Sequence, residues 1–298
     1  MTSLIKAGRN TWLLRGGSNI GFIVVEGKAL IVDSGLDKDS ARQAAKALEE
    51  LGAKAHALII THAHADHFGG AAALKERLGV KVFAPKFEAA IVENPILEPL
   101  WLFGGASPVK PLRGKFTLAK PCPVDGLIEE STVNLEGIEV KILPLYGHAP
   151  GQIGLAFEDS FFCADAFFPL ETLSKHGIPY CTDMDSAIAT LKKFEEKAWP
   201  FECFLPGHGN TLKDPAPLAE ANRKRLEEIR DKVLDLLSAP CDEATIMRGL
   251  ALALGLAYRD LPHYYLCRTT MYSALASLER GGMVEAFIEG NNLLWRRV

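Results

Sequence analysis

The chain has 298 residues, of which 48% are hydrophobic and 23% are charged, the balance of a globular protein with a substantial core. This length predicts one large domain or about two ordinary ones. The formal net charge of −4 provides no basic surplus, which argues against general attraction to nucleic acid or to an anionic membrane.

The amino terminus and the cysteines indicate the compartment. The start M-T-S-L-I-K lacks the charged and then apolar pattern of a signal peptide, and no apolar run approaches the length of a membrane span. The six cysteines are scattered without a C-x-x-C pair, so we expect reduced thiols. Together these features predict a cytoplasmic protein with no membrane partner.

Strands and helices alternate along the first two thirds of the chain. Short apolar runs bounded by turn residues predict strands, and apolar residues at helical spacing predict helices. The predicted strands are 11–14, 22–25, 29–32, 57–60, 80–83, 138–143, 154–157, 161–163 and 201–205, and the predicted helices are 40–51, 71–78 and 183–199. Strands interleaved with helices favour a layered domain with its sheets inside.

The segment 94–111, N-P-I-L-E-P-L-W-L-F-G-G-A-S-P-V-K-P, is strongly apolar but contains four prolines and two glycines. We therefore expect an irregular loop, and an apolar loop of this length can form one wall of a binding site. The predicted wall residues are Trp101 and Phe103, joined by Phe167 and His176 because these two lie close in sequence to Asp165.

The composition changes after residue 214. A long helix is predicted from about residue 218, followed by helices at 242–254 and 269–278 and by a hairpin formed by 283–288 and 293–297. Helices followed by a β-hairpin resemble a winged helix. We therefore divide the chain into a catalytic domain, 1–214, and a small, mainly helical, winged-helix-like domain, 215–298.

The most informative stretch is 61–70, T-H-A-H-A-D-H-F-G-G, which directly follows the predicted strand at 57–60. It places His62, His64, Asp66 and His67 within six residues. Residues two apart in an extended chain project to the same side, so His62 and His64 can bind one ion while Asp66 and His67 face a second. Imidazole and carboxylate are ligands expected of zinc or a similar divalent metal.

Three later residues share the setting of this motif. His148, Asp165 and His208 each follow an apolar strand and lie among glycine, proline or small residues. Each one alone is weak evidence for a ligand. The ordered set H-x-H-x-D-H, G-H-x-P-G, A-D and P-G-H-G is a strong signal for a metal site.

On these motifs the chain resembles the metallo-β-lactamase superfamily from about residue 11 to residue 210. The resemblance implies an α+β fold, a four-layer αβ/βα sandwich with two divalent ions at one edge between the sheets. Zinc is the favoured metal, with iron or manganese as alternatives. The implied ligands are His62, His64 and His148 for the first ion, Asp66, His67 and His208 for the second, and Asp165 as the bridge. Asp33, in I-V-D-S-G, matches an aspartate that orients such ligands from behind.

The resemblance also implies a reaction. Two ions about 3.5–4 Å apart would acidify a bridging water, and the resulting hydroxide would attack an electrophilic carbonyl or phosphorus. Asp66 would be the catalytic residue, orienting the nucleophile and passing a proton to the leaving group. No serine or cysteine nucleophile is needed, and none is evident in the sequence.

Departures from known subfamilies narrow the choice. Asp66 stands where one lactamase subclass has a cysteine ligand, and His64 stands where flavodiiron proteins have glutamate. Gly209 stands where glyoxalase II enzymes usually have glutamate. These differences argue against the three subfamilies but not against ester or thioester hydrolysis. We therefore favour a hydrolase of a small ester, thioester or lactone, because the apolar segment 94–111 suits a small, partly hydrophobic substrate.

Two other functions stay open. A phosphodiesterase or ribonuclease would fit the winged-helix-like region, but residues 218–298 contain 11 Lys and Arg against 11 Asp and Glu, and the helix 269–278 contains no basic residue. Nucleic-acid-binding domains ordinarily show a basic face, so we favour a structural role for this region or a homodimer formed through it. A non-catalytic metal-binding regulator is the third possibility, although a structural site would be closed to substrate.

Overall fold

The computed structural model describes residues 3–129, 131–197 and 199–298. The strands of its first sheet, in sequence and spatial order, are β1 (Ser3–Lys6), β2 (Thr11–Arg15), β3 (Ile20–Val25), β4 (Lys28–Val32), β5 (Lys54–Ile59), β6 (Lys81–Pro85) and β7 (Gly126–Ile128). The first four form an antiparallel meander, and β4 to β7 are parallel. Parallel strands bury both faces, which explains the nearly continuous apolar run that ends β5.

The second sheet has five strands. They are β8 (Thr132–Leu135), β9 (Ile138–Pro144), β10 (Ile153–Phe157), β11 (Ser160–Ala164) and β12 (Cys203–Pro206). Their spatial order is β12-β11-β10-β9-β8. All neighbours are antiparallel except β11 and β12, which are parallel and joined by a helical crossover.

Helices cover the outer face of each sheet. They are α1 (Lys38–Glu50), α2 (Ala65–Phe68), α3 (Ala71–Leu78), α4 (Lys86–Glu93), α5 (Leu97–Leu102), α6 (Leu170–His176), α7 (Met184–Glu195), α8 (Ala216–Leu236), α9 (Glu243–Ala253) and α10 (Leu261–Arg280), with a 3₁₀ turn at Lys110–Arg113. One apolar core lies between the sheets, a second under α1, α3 and α4, and a third under α7, α8 and α10. The predicted four-layer sandwich is confirmed.

The C-terminal region consists of α8 to α10 and a terminal hairpin of β13 (Val284–Glu289) and β14 (Asn292–Arg297). Its apolar residues belong to the same core as α7 and the second sheet, with Phe161, Phe194, Leu226 and Met271 in one cluster. The division at residue 214 and the winged-helix likeness stay predictions. Among the described residues, each helix is too short or too polar to cross a lipid bilayer.

Two predicted elements differ from the structure. The segment 94–111 is not wholly irregular, because it contains α5 with Pro99 in its first turn, where proline is tolerated. The helix predicted at 269–278 begins at Leu261, after an Asp260 side chain that accepts a hydrogen bond from the His263 N–H group at 2.8 Å. That aspartate followed by a first-turn proline is a helix start signal that the prediction missed.

Three predictions depend partly on residues that lie outside the described part of the chain. The helix predicted at 183–199 ends at Glu195, and its predicted extension includes Ala198, which lies outside the described residues. Met1 and Thr2, on which part of the signal-peptide argument and the start of the first predicted domain depend, also lie outside them.

Candidate metal centre

The predicted ligands come together at one edge of the sandwich, where several strands end. Asp33 follows β4, the H-x-H-x-D-H motif follows β5, His148 follows β9, Asp165 follows β11 and His208 follows β12. Asp33 and Ala164 have left-handed backbone conformations, with φ of 60° and 48°, which are uncommon for residues that carry a Cβ atom. The turn at Ala164 therefore places Asp165 at the edge at some conformational cost.

The first group of donors consists of His62, His64 and His148, whose ligand atoms all lie within 4.8 Å of one another. His148 Nδ1 lies 3.0 Å from the Tyr180 carbonyl oxygen, which can only accept, so Nδ1–H donates and the Nε2 lone pair is free. That Nε2 lies 2.8 Å from His64 Nδ1. Two imidazole nitrogens this close, both turned toward His62, form one side of a metal coordination shell.

Asp33 fixes the orientation of two neighbouring imidazoles from behind the site. Its buried carboxylate accepts the Thr61 N–H group, the Thr61 hydroxyl and His67 Nδ1–H, each at 2.8 Å. Because the Thr61 hydroxyl donates to Asp33, its oxygen accepts His62 Nδ1–H at 3.1 Å. Both rings therefore use Nδ1 in a hydrogen bond, which leaves Nε2 as the nitrogen that can bind a metal.

The second group consists of Asp66, His67 and His208. His208 Nδ1–H donates to the Gly17 carbonyl at 2.7 Å, and its Nε2 lies 3.4 Å from Asp66 Oδ2. Asp165 lies between the two groups, since its Oδ2 is 3.2 Å from His208 Nε2 and 3.7 Å from His148 Nε2, and its Oδ1 is 3.4 Å from His67 Nε2. This is the position expected of a bridging carboxylate.

Three buried polar atoms at this edge have no hydrogen-bond partner among the described residues: His62 Nε2, His67 Nε2 and Asp165 Oδ1. Leaving a buried donor or acceptor unpaired costs about 1–3 kcal/mol. A divalent cation would accept the lone pairs of all three. The donor set of imidazoles and carboxylates therefore fits a divalent metal.

The electrostatics divide the histidines into two kinds. Burial is the main cause that lowers the pKa of His62 and His148, and with the nearby His148 it lowers the pKa of His64 to about 3. Burial also acts to lower the pKa of His208, but Asp165 and Asp66 outweigh it and raise this pKa to about 10. The acidic residues thus concentrate at the second group, where positive charge is stabilised.

The sequence analysis missed Glu88, which connects the two loops that carry the first group. Its side chain is almost completely buried in α4. Oε2 accepts the Ala63 N–H group, between His62 and His64, and Oε1 accepts the Gly151 N–H group, just after the His148 turn, each at 2.7 Å. The isolated sequence gives only a weak signal for this role, a glutamate among apolar residues at the start of a helix.

The turn 16–19 also supports the centre, a role that the sequence analysis missed. The Ser18 hydroxyl donates to the Asp66 carbonyl. The Asn19 side chain donates to the carbonyls of Pro206 at 2.9 Å and Gly209 at 3.0 Å. The turn thus ties the loop of the second group to the loop that carries His208.

Gly207 is required by a close approach. A Cβ atom at this position would lie 2.1 Å from Asp165 Oδ1 and 2.8 Å from the His67 ring, closer than real Cβ contacts allow. Glycine therefore lets the loop after β12 pass directly behind the bridging carboxylate.

The predicted wall residues lie in different environments. Trp101 is about half exposed and its ring lies 5.8 Å from that of Phe87, which directly precedes Glu88. Phe103 contacts Tyr265 of α10, with ring centroids 5.6 Å apart. His176 lies at the end of α6, where its ring contacts Arg259, and it joins neither donor group.

The prediction for Phe167 is wrong. Its side chain is 1% exposed and packs against Phe194 in the core, so it cannot contact a substrate. The next residue, Phe168, lies at the centre instead, with its ring 5.4 Å from His148 and 6.1 Å from His208. Successive residues after a strand point in different directions, and sequence proximity to Asp165 alone could not decide between the two.

The chain is similar to curated proteins over about half of its length. Hydroxyacylglutathione hydrolase of Albidiferax ferrireducens is 29% identical over 140 residues, which are 47% of this chain and 39% of that protein. Hydroxyacylglutathione hydrolase GloC of Haemophilus influenzae is 30% identical over 129 residues, 43% of this chain and 55% of that protein. The chain thus spans about half or less of the length of these relatives.

The fold has a close counterpart among solved structures. A beta-lactamase domain protein from Burkholderia ambifaria superposes with a TM-score of 0.77 at 17% identity, over 99% of this chain and 94% of that chain. The family model of the metallo-beta-lactamase superfamily matches residues 13–233, which run from β2 into α8 and contain all the predicted metal ligands. The chain belongs to the metallo-β-lactamase superfamily.

Proposed function

We propose that this protein is a metal-dependent hydrolase that cleaves a small ester, thioester or lactone. The observation that carries the proposal is the pair of adjacent three-donor groups that share Asp165, with three buried atoms turned toward the same space. His62, His64 and His148 would hold one ion, and Asp66, His67 and His208 the other. Zinc is the metal we favour for both positions.

When bound, the two ions would supply Lewis acidity and a water whose pKa is lowered toward neutrality. The chain's own contribution is to fix the imidazole rings through hydrogen bonds from Nδ1 to Thr61, Asp33 and a carbonyl group, which leaves Nε2 to bind the metal. Asp66 is partly exposed, as are His64 and His208, with 29% of its side chain accessible. Burial acts to raise the pKa of Asp66, but His67 and His208 outweigh it and lower the pKa, so Asp66 is the ionised carboxylate that a metal ligand requires.

Two findings support an acyl substrate. Phe168 lies beside His148, in a cavity that is also lined by Asp165, Leu145 and Tyr180, and such a largely apolar lining suits a partly apolar ligand. The relatives are named for hydroxyacylglutathione, an acyl thioester. The buried thiol of Cys181, which follows Tyr180, is not a rival nucleophile, because burial raises its pKa to about 12.

The phosphodiester alternative finds little support in α10 and its surroundings. Arg268 and Arg280, which flank the helix predicted at 269–278, are both paired: Arg268 with Glu243 and Arg280 with Asp185. Arginines held by carboxylates are less available for phosphate groups. We therefore keep phosphodiester cleavage as an outcome of the test.

The test measures metal content per chain together with hydrolysis of a p-nitrophenyl carboxylate ester and of bis-p-nitrophenyl phosphate, for the wild type and Asp66→Ala. We expect two ions per chain, ester turnover and its loss in the variant. Turnover of the phosphate diester alone would transfer the proposal to phosphodiesters. Less than one ion per chain with no turnover of either compound would overturn the hydrolase proposal.

A further inference from the structure

A cavity of about 170 Å³ lies between α7, β12 and the segment that leads into α8. Four of its lining residues are aromatic: Phe194, Trp199, Phe201 and Phe204. The lining contains none of the candidate metal ligands. The cavity is therefore a separate feature from the candidate metal centre.

Two of these aromatic residues are buried and two are partly exposed. Phe194 and Phe204 are almost fully buried, with ring centroids 6.3 Å apart. Trp199 lies 5.8 Å from Phe194, and Phe201 lies 6.3 Å from Phe204. An apolar cavity of about 150 Å³ can hold a benzene molecule, so this cavity has room for a single aromatic ring.

The wall of the cavity also contains an unpaired hydrogen-bond donor. The indole Nε1–H group of Trp199 is buried and has no hydrogen-bond partner among the described residues. A buried tryptophan usually finds a partner for this group, and leaving it unpaired is costly. The space and the unpaired donor are independent observations, and both favour binding of a ligand that has an aromatic ring and a hydrogen-bond acceptor.

The rim of the cavity carries two lysines and one aspartate. Lys197 Nζ donates to Asp214 Oδ2 at 2.9 Å, and Asp214 Oδ1 accepts the Ala216 N–H group at 3.1 Å. Lys213 is exposed and forms no ion pair with any described residue. An anionic ligand would pair with Lys213, whereas a cationic ligand would have to displace Lys197 from Asp214. The charges at the rim therefore favour an anion.

Both arms of the loop that carries His208 form part of the cavity. Phe204 comes four residues before His208, and Lys213 comes five residues after it. Phe204 and Leu212 exchange two backbone hydrogen bonds, each of 2.8 Å, which join the two arms. A ligand in the cavity would therefore contact the base of the His208 loop.

We propose that this cavity is a second ligand site that binds a small aromatic carboxylate, with the ring against Trp199 and Phe201 and the carboxylate beside Lys213. The inference does not depend on the proposed hydrolase function. Burial of the ring against apolar walls provides the affinity. The charge at the rim determines the choice between an acid, an amide and an amine.

The test uses the metal-loaded protein with phenylacetate, phenylacetamide and 2-phenylethylammonium, which share a ring but carry a negative, a neutral and a positive group. Binding is followed through the indole N–H resonances of the ¹⁵N-labelled protein, in which the Trp199 signal is assigned by its loss in Trp199→Phe. We expect phenylacetate to shift the Trp199 signal saturably. From this signal, phenylacetate should bind about fivefold more tightly than phenylacetamide.

Lys213→Gln removes the unpaired charge and should reduce this preference to about twofold or less. Lys46→Gln, at an exposed position of α1, is the matched control and should keep the preference. An unchanged preference in Lys213→Gln, tighter binding of 2-phenylethylammonium, or no shift of the Trp199 signal would overturn the inference. A shift of the Trp101 signal alone would assign the ligand to the predicted wall and would also overturn it.

Discussion

The metal edge and the wall formed by α4 and α5 are built on different principles. At the metal edge, His62, His67, His148 and His208 each use Nδ1 in a hydrogen bond that fixes the ring. On the wall, Trp101 and Phe103 contact other aromatic rings, and the hydrogen bonds of Glu88 run from α4 to the metal loops. The candidate ligands are thus fixed by directional bonds, whereas the predicted wall residues are held by ring packing.

The largest expected effect comes from a substitution of Asp66, a predicted ligand at the metal edge. Asp66→Asn keeps the size of the side chain but removes its ability to accept a proton. We expect ester turnover to fall by about 10²–10⁴-fold, with the helix and strand content unchanged. Steady-state kinetics and circular dichroism measure the two quantities. Turnover within threefold of the wild type would mean that Asp66 has no part in the reaction.

Glu88→Gln tests whether metal binding depends on the side chain that supports the ligand loops as well as on the ligands themselves. A carboxylate offers an acceptor oxygen to both the Ala63 and Gly151 N–H groups, but an amide has only one acceptor oxygen. We expect the affinity for the ion held by His62, His64 and His148 to fall by about 10–100-fold. Competition with a chelator measures this affinity.

Glu76→Gln, at an exposed position on α3, makes the same chemical change away from both loops and serves as the control for Glu88→Gln. It should bind metal as the wild type does. If Glu88→Gln also matches the wild type, the two hydrogen bonds do not hold the metal loops in place.

Thr270→Val tests the link from the C-terminal helix to the centre. The Thr270 hydroxyl donates to the Pro179 carbonyl at 2.8 Å and accepts the Cys181 N–H group at 3.1 Å, on either side of Tyr180. Because valine leaves both buried groups unpaired, we expect the free energy of unfolding to fall by about 1–3 kcal/mol. Denaturant unfolding measures the change, and Thr245→Val, at an exposed position, should shift it by no more than about 0.5 kcal/mol.

The smallest effect concerns Asp185, which is 46% exposed and accepts hydrogen bonds from Ser277 and Arg280 of α10. Burial acts to raise its pKa, but these two partners outweigh it and lower the pKa. A lowered pKa gives stability that is present above the unfolded value of about 4 and is lost as the pH falls through the lower folded-state pKa. We expect Asp185→Asn to cost at most about 1 kcal/mol at pH 7 and less than that at pH 2.5. Unfolding curves at both pH values decide the point.

The layered fold and the grouping of the candidate ligands at one edge could both be predicted from the sequence, because both depend on local pattern. Apolar runs mark buried strands, and the H-x-H-x-D-H motif joins its ligands to one of them. It could not identify Glu88 or Asn19, since their partners are backbone groups from distant loops. It could not choose Phe168 over Phe167 either, because the turn after β11 decides which ring is buried.

The bonds of the turn 16–19 have a consequence for the synthesis of the protein. Asn19 and Gly209 are 190 residues apart in the chain, and Gly17 and His208 are 191 apart. At about 5–20 residues per second, a ribosome needs roughly 10–40 s to connect them. During that interval the first histidines have emerged without the residues that complete their site. A nascent chain can therefore complete the proposed metal centre only after His208 has been synthesised.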